Sequence, residues 1–196
     1  LRKRGFSKSV IDGLIHSGLA TMKTVRRFRD SYQTTPDGAP PTASPPLTPA
    51  QTEVLKQLQP AIELRQAKAF LLHGVTGSGK TRVYMEAAIK AREQDRQVLV
   101  LVPEIALTGQ LVKTFQTVFA TDIIVIHSRL TVTERNDAFF RIRRREAGVI
   151  IGARSALFTP ATDIGLIILD EEQDNSYKQD EAPRYHARVV ASALAR

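Results

Sequence analysis

Residues 74–81 read GVTGSGKT and match the pattern G-x-x-x-x-G-K-[ST] at every position. An apolar segment, 69–72, comes just before this motif, and a stretch of helical character, 81–92, begins at its end. Glycines allow backbone N–H groups to turn toward phosphate oxygens, and the N-terminus of the following helix attracts negative charge. The motif therefore predicts a strand, a phosphate-binding loop and a helix that together bind a nucleoside triphosphate.

Two side chains of this loop have chemical roles of their own. Lys80 is long enough to reach the β- and γ-phosphates, and the Thr81 hydroxyl can coordinate Mg²⁺. The predicted nucleotide-binding residues of the loop are Gly74, Thr76, Gly77, Ser78, Gly79, Lys80 and Thr81. The alternative is a glycine-rich turn without function, which the complete match between a strand and a helix strongly disfavours.

A pair of carboxylates follows a second apolar segment, 166–169. Asp170 at the end of this predicted strand could hold Mg²⁺ through water, and Glu171 could orient or deprotonate the attacking water. Alone, such a pair would more often be solvated at a strand end, but it stands here behind a complete phosphate loop. We therefore predict Lys80, Asp170 and Glu171 as catalytic residues, with Thr81 and Asp170 as the metal ligands.

Short apolar segments alternate with longer helical stretches from residue 47 onward. The predicted strands are 69–72, 98–102, 123–126, 149–151 and 166–169, and the predicted helices are 81–92, 105–119 and 133–145. A nearly continuous run of apolar residues is typical of a strand that is buried on both faces of a sheet. The pattern predicts an α/β fold in which a parallel sheet is flanked by helices.

Four short motifs occur in the order found in superfamily 1 and 2 helicases, which this region resembles. The acidic tetrad is DEEQ at 170–173, and Gln173 completes it as a further catalytic residue by that resemblance. Residues 47–51 resemble an adenine-reading motif in which Gln51 presents its amide to the purine. Residues 103–110 and 152–156 stand where these proteins contact the DNA backbone, which implies DNA-binding roles for Thr108, Gln110, Arg154 and Ser155.

Five longer stretches are more specific still: HGVTGSGKT, LVPEIALT, HSRL, IIGARSALF and DEEQDNSYKQDEAPRYHAR. Together they resemble the family of primosomal protein N′, the PriA-type replication-restart helicases of superfamily 2. This resemblance spans roughly residues 47–191. It implies a RecA-like P-loop NTPase lobe that uses ATP and Mg²⁺, here the first motor lobe of a 3′→5′ DNA helicase. It also implies single-stranded and forked DNA, primosome proteins and single-stranded DNA-binding protein as partners.

This sequence departs from the family pattern at several positions. The tetrad has Gln173 where a histidine is usual, Gly109 replaces an expected proline, and Ala153 replaces a threonine. The segment after the tetrad resembles an aromatic-rich loop that senses single-stranded DNA, which implies DNA contacts for Tyr177, Lys178 and Tyr185. A tryptophan common in that loop is missing, so base stacking there is less assured.

Residues 1–30 carry much of the positive charge, with eight Lys or Arg against two Asp in a chain of net charge +8. Ser7 can cap a helix with an apolar face, Gly18 follows where a left-handed cap would lie, and residues 19–27 read as extended. This arrangement resembles the last helix and wing of a winged-helix domain, which that family carries just before its motor. The predicted domains are a partial winged-helix segment at 1–30, a proline-rich linker at 31–46 and a RecA-like helicase lobe at 47–196.

The composition excludes several other classes. The chain has no cysteine, so it holds no disulfide and no thiolate metal site, and no apolar run approaches the roughly 18 residues of a membrane span. We expect a cytoplasmic protein without a membrane partner. Because the sequence begins with Leu1 and stops within an alanine-rich helical run, we expect a piece of a longer protein. The family resemblance would place a zinc-binding cysteine cluster and a second lobe with an arginine finger elsewhere in it.

Three other functions remain open at this stage. The chain could belong to another superfamily 2 translocase, or it could act only as a DNA-binding module through its basic N-terminal part. A small-molecule kinase is less favoured, because the tetrad and its companion motifs have no role there. For the helicase lobe we expect ATP binding with poor hydrolysis, since an arginine finger is worth orders of magnitude in rate.

Overall fold

The computed structural model describes residues 7–21, 46–75, 77–104 and 110–196. Its helices are α1 (Lys8–His16), α2 (Pro49–Glu63), α3 (Lys80–Glu93), α4 (Gln110–Phe119), α5 (Val132–Arg143) and α6 (Ala187–Leu194). Its strands are β1 (Gln97–Leu101), β2 (Ile123–Ile126), β3 (Val149–Gly152), β4 (Ile164–Leu169), β5 (Lys178–Gln179) and β6 (Tyr185–His186). Short 3₁₀ helices cover Ala120–Asp122, Arg154–Phe158 and Asn175–Tyr177.

The first four strands form one parallel sheet in the order β2-β3-β1-β4. Alternate residues of the central strand β1 face opposite sides, as the two-residue period of a strand requires. Val98 and Val100 pack with α2, α3 and α4 in one core, whereas Leu99 and Leu101 pack with α5 and α6 in the other. Strands β1, β2 and β3 are buried along their whole length. The predicted α/β fold with helices on both faces is confirmed.

Four of the five predicted strands are present, and the prediction of a strand at 69–72 is wrong. Phe70 is 42% exposed and Leu71 is 82% exposed, and no strand is assigned to this segment. An apolar run indicates a tendency to be buried, but a strand also needs a neighbour to satisfy its backbone hydrogen bonds. Residues 69–72 do not pair with β4, so within the described residues β4 is an edge of the sheet and is mostly half-buried.

The predicted helices at 81–92 and 133–145 are confirmed by α3 and α5. The helix predicted at 105–119 is confirmed from Gln110 onward, and residues 105–109 lie outside the described residues. Among the described helices, none is long and apolar enough to cross a membrane.

The described part of the N-terminal segment contains the predicted capped helix. The backbone N–H of Val10 donates to Ser7 Oγ at 3.4 Å, and Gly18 has the left-handed φ of +74° expected after the helix. The winged-helix interpretation is not confirmed, because most of residues 1–30 and of the linker lie outside the described residues.

Candidate nucleotide and nucleic-acid sites

The phosphate loop leads directly into α3, whose first residue is Lys80. Gly77 and Gly79 adopt left-handed backbone angles, with φ of +80° and +83°, which only glycine adopts without strain. The Lys80 ammonium donates to the carbonyl oxygens of Gly74 at 2.8 Å and Val75 at 3.2 Å, so it is folded over the loop. The loop and the helix N-terminus thus have the form that binds phosphate groups. Thr76 lies outside the described residues.

Gln51 lies beside this loop although it belongs to α2. Its backbone N–H and side-chain oxygen form a capping box with Thr48: Thr48 N donates to Gln51 Oε1 at 3.0 Å, and Gln51 N donates to Thr48 Oγ1 at 3.3 Å. A Cβ added to Gly79 would lie 2.3 Å from Gln51 Nε2, so the amide nitrogen is against the loop. The adenine-reading role of Gln51 stays a prediction.

The strand-end carboxylate Asp170 faces the nucleotide side of the sheet. Burial raises its pKa, as does the neighbouring Glu171, whereas the charge of Lys80 and a hydrogen bond from Tyr84 act in the opposite direction. Because Tyr84 lies on α3, the helix that begins with Lys80, this hydrogen bond brings the phosphate-loop helix and the strand-end carboxylate together. Two motifs some ninety residues apart along the chain therefore meet at one site.

The sequence analysis missed Tyr84, which is half-buried on α3. Burial raises its pKa to about 12, and the hydrogen bond that its hydroxyl donates to Asp170 contributes to this increase. A signal was available in the sequence: Tyr84 stands four residues after Lys80, and residues at this spacing share one face of a helix.

The other tetrad residues also have side-chain partners, Glu171 and Gln173 within the tetrad and Glu172 on α6. Glu171 has a φ of +48°, a left-handed conformation that is costly for a residue with a Cβ and recurs at active sites. Its carboxylate accepts a hydrogen bond from Gln173 Nε2 at 2.7 Å. Glu172 forms an ion pair with Arg188 of α6. Gln173 is therefore positioned to orient the side chain of Glu171.

The residues of the candidate nucleotide site are of the chemical types that bind ATP with Mg²⁺. Among the described residues there is no group of three His, Cys, Asp or Glu side chains that could hold a metal by themselves. Mg²⁺ does not require one, since in such sites one or two protein oxygens act together with phosphate and water oxygens. The Thr81 hydroxyl on the first turn of α3 and the Asp170 carboxylate are of the right chemical type.

A half-open cavity of about 400 Å³ lies among the residues that follow strands β1 to β4. In parallel α/β sheets the carboxyl ends of the strands are the common place for ligands. The cavity is lined by Glu104, Ser128, Ala153, Arg154, Ser155, Ser176, Gln179, Pro183 and Tyr185. It therefore brings together parts of the segments predicted to contact DNA.

The predicted DNA-binding residues occupy different environments, and among them Arg154, Ser155 and Tyr185 line the cavity. Ser155 and Gln110 are exposed, and Lys178 is exposed but forms an ion pair with Asp180 at 2.9 Å. Tyr185 is half-buried and makes an edge-to-face contact with Phe158, with ring centroids 5.2 Å apart. Phe158 is 58% exposed and was missed in the sequence. Thr108 lies outside the described residues.

Two predicted DNA contacts are engaged inside the protein. The Arg154 guanidinium donates to the carbonyl oxygens of Ser176, at 2.9 Å, and of Lys178. The side chain of Tyr177 is completely buried, so its predicted stacking on a base is not available in this structure. The expectation for Tyr177 is corrected because its ring packs in the core with α6 and its hydroxyl is bound to backbone carbonyls.

Fold and site together define a P-loop ATPase lobe of the helicase type. The chain belongs to the DEAD/DEAH box helicase family, whose model matches residues 48–193. Membership implies the use of ATP and Mg²⁺.

Individual relatives give a more specific comparison than the family match does. The chain is similar to replication restart protein PriA of Bacillus subtilis (strain 168), with 41% identity over 191 residues. It is also similar to the proteins of the same name from Haemophilus influenzae, with 44% identity over 156 residues, and Synechocystis sp., with 40% identity over 190 residues. These matches cover 97%, 76% and 96% of this chain but only 23%, 21% and 22% of the respective relatives. The chain thus spans less than a quarter of the length of these proteins.

Proposed function

We propose that this chain is the ATP-binding first motor lobe of a replication-restart DNA helicase that moves 3′→5′. The observation that carries the proposal is the hydrogen bond from Tyr84 to the Asp170 carboxylate, which joins α3, the helix that begins with Lys80, to the end of β4. In P-loop NTPases the loop lysine binds the β- and γ-phosphates and the strand-end carboxylate helps to hold Mg²⁺. The similarity to proteins named replication restart protein PriA supports the choice of process.

Each site residue has one part in the proposed mechanism. Backbone N–H groups of the loop and the Lys80 ammonium bind and orient the phosphates, and Gln51 contacts the base. Thr81 and Asp170 would hold Mg²⁺, which supplies charge neutralisation at the β- and γ-phosphates when bound. Glu171 orients the attacking water, and Gln173 holds the Glu171 carboxylate in place. DNA would run over the cavity and contact Thr108, Gln110, Arg154, Ser155, Lys178 and Tyr185.

The proposal for the whole protein reaches beyond this chain. We propose a partial winged-helix segment at 1–30, a linker at 31–46 and the motor lobe at 47–196. The partners of the whole protein would be single-stranded and forked DNA, primosome proteins and single-stranded DNA-binding protein, in the cytoplasm. Zinc and the arginine finger would belong to other parts of the longer protein.

ATP hydrolysis with and without forked DNA tests this function. We expect the 196-residue chain to hydrolyse ATP slowly in both conditions, because the family resemblance places the arginine finger, worth orders of magnitude in rate, in a second motor lobe. The same residues within a full-length protein with a second motor lobe should show strong stimulation by forked DNA.

Two results would contradict the proposal. Rapid DNA-stimulated turnover by the chain alone would overturn the division into two lobes. DNA binding that depends on salt but is insensitive to nucleotide in either protein would instead favour a plain DNA-binding module based on the basic residues 1–30.

A further inference from the structure

The cavity that follows strands β1 to β4 is electrically balanced. Of the described residues that line it, only Arg154 and Glu104 carry a charge, and these two charges are opposite. Nη1 of Arg154 already donates to the backbone carbonyls of Ser176 and Lys178. A surface that binds a row of phosphates needs an excess of cations, because affinity for the nucleic-acid backbone comes from neutralised phosphates. The described lining of this cavity therefore does not have the charge of a phosphate-binding surface.

Glu104 joins the cavity lining at the point where the chain leaves the core after β1. Val102 and Pro103 are buried, and the backbone N–H of Val102 donates at 3.0 Å to the carbonyl oxygen of Gly152, the last residue of β3. Glu104 itself is exposed. A carboxylate accepts hydrogen bonds but donates none, and it repels the oxygens of a phosphate. The group that Glu104 binds must therefore be a hydrogen-bond donor without negative charge.

An aromatic ring forms another part of the cavity wall. Tyr185 is half-buried, and Phe158 contacts its ring edge to face, with the two ring planes at 89°. Phe158 is not among the residues that line the cavity, so it supports the Tyr185 ring from outside. The cavity of about 400 Å³ thus combines a flat apolar surface with a hydrogen-bond acceptor. An uncharged, planar molecule with N–H groups along its edge fits this combination, and a nucleobase has these properties.

We infer that the cavity receives one unstacked nucleobase of a single strand, and that Glu104 selects bases whose edge carries an amino group. The inference rests on the proposed function. It adds a contact to a base in the segment 103–110, where contacts to the DNA backbone were expected. Cytosine presents an amino group at the position where uracil and thymine present a carbonyl oxygen. Because a carboxylate accepts from the amino group and repels the carbonyl oxygen, Glu104 favours cytosine.

The test compares the affinities of the 196-residue chain for oligo(dC) and oligo(dU) of equal length, two bases of nearly the same size and shape. Fluorescence anisotropy measures both at mildly alkaline pH and about 200 mM salt, where contacts to phosphate alone are weak. We expect oligo(dC) to bind at least about fivefold more tightly, the lower end of what a good pair of side chain and base contributes. In Glu104→Gln the ratio should approach one, because an amide can donate to uracil as well as accept from cytosine.

Glu146→Gln is the matched control. It removes the same charge from an exposed carboxylate that precedes β3 and so lies at the opposite edge of the sheet. The ratio should then equal that of the unsubstituted chain, and all three proteins should bind the fluorescent nucleotide mant-ADP with Mg²⁺ equally well.

Three results would overturn the inference and leave the proposed function intact. They are equal affinities for oligo(dC) and oligo(dU) in the unsubstituted chain, a preference that survives in Glu104→Gln, and an equal loss of preference in Glu146→Gln. A chain that binds neither oligonucleotide contradicts the proposed DNA contacts of the lobe themselves.

Discussion

Two features restrict position 79 to glycine: its backbone angle and the nearby side chain of Gln51. Its φ of +83° requires the left-handed region, and a Cβ would lie 2.3 Å from Gln51 Nε2. Gly77 has nearly the same backbone angle, φ +80°, but a Cβ there would meet nothing within 4 Å. Comparison of the two glycines therefore separates backbone strain from the contact with Gln51.

We predict that Gly79→Ala destabilises the fold more than Gly77→Ala. Both should lose about 1–2 kcal/mol from the left-handed backbone. Gly79→Ala should lose about 1 kcal/mol more, because the Gln51 amide must leave its capping box with Thr48 to make room. Urea unfolding of the two variants measures the difference, and a Gln51→Ala background should remove it. Equal losses in the unsubstituted background would show that Gln51 does not restrict this position.

Tyr177 and Tyr84 show what residue identity alone leaves undetermined. A tyrosine has an apolar ring and a polar tip, so the same residue can stack on a base at the surface or bind carbonyls in a core. At Tyr177 the resemblance to an aromatic-rich loop indicated the surface, whereas the hydrogen bonds to Leu101 and Asp170 bury it. At Tyr84 the spacing from Lys80 indicates the helix face, but it does not reveal the carboxylate partner Asp170, which directly follows the distant strand β4.

At the scale of elements, helices α2 and α5 both begin with a capping box. In α5 the partners are Thr131 and Glu134, with Glu134 N donating to Thr131 Oγ1 at 3.2 Å. In α2 the partners are Thr48 and Gln51, and the box also fixes the side chain that lies against the phosphate loop. The same local structure is purely stabilising in one helix and is connected to the nucleotide site in the other.

We predict that Thr48→Ala and Thr131→Ala each lower the free energy of unfolding by about 1 kcal/mol, the usual value of such a cap. Only Thr48→Ala should also weaken the preference for adenine over guanine nucleotides, because Gln51 loses its fixed position. Competition of ATP and GTP against mant-ADP checks this, with Thr131→Ala as the matched control. A preference unaffected by Thr48→Ala would argue against base recognition by Gln51.

The sequence predicted strands correctly where an apolar segment is both buried and paired with neighbouring strands. Strands β1, β2 and β3 are apolar, have neighbours in the sheet and are buried on both faces, so their sequence pattern is diagnostic. The segment 69–72 is equally apolar, yet it does not pair with the open edge of β4. Phe70 instead packs under the Lys68 ammonium, which lies 5.0 Å from its ring centroid. Composition does not reveal whether an apolar segment pairs with a neighbouring strand.

At the scale of the whole molecule, the parallel order of the sheet brings separate motifs to one edge. Because β1 lies between β3 and β4, the segments after these strands converge on the cavity, while the tetrad also faces α3. The phosphate loop and the tetrad were predictable because each is a short, local pattern with one known chemistry. The contact between them, from Tyr84 on α3 to the Asp170 carboxylate, joins residues that are far apart in the sequence, so only the fold reveals it.

The most direct test of the account is the affinity of this chain for mant-ADP with Mg²⁺ in Lys80→Ala, compared with Lys90→Ala. Both substitutions remove one ammonium from α3, but Lys90 lies on the last turns of the helix and pairs with Glu93. We predict that Lys80→Ala weakens binding by at least about tenfold, the scale of one hydrogen bond to a charged group. Lys90→Ala should bind like the unsubstituted chain. Equal affinity of Lys80→Ala and Lys90→Ala would show that the loop at 74–81 is not the nucleotide site.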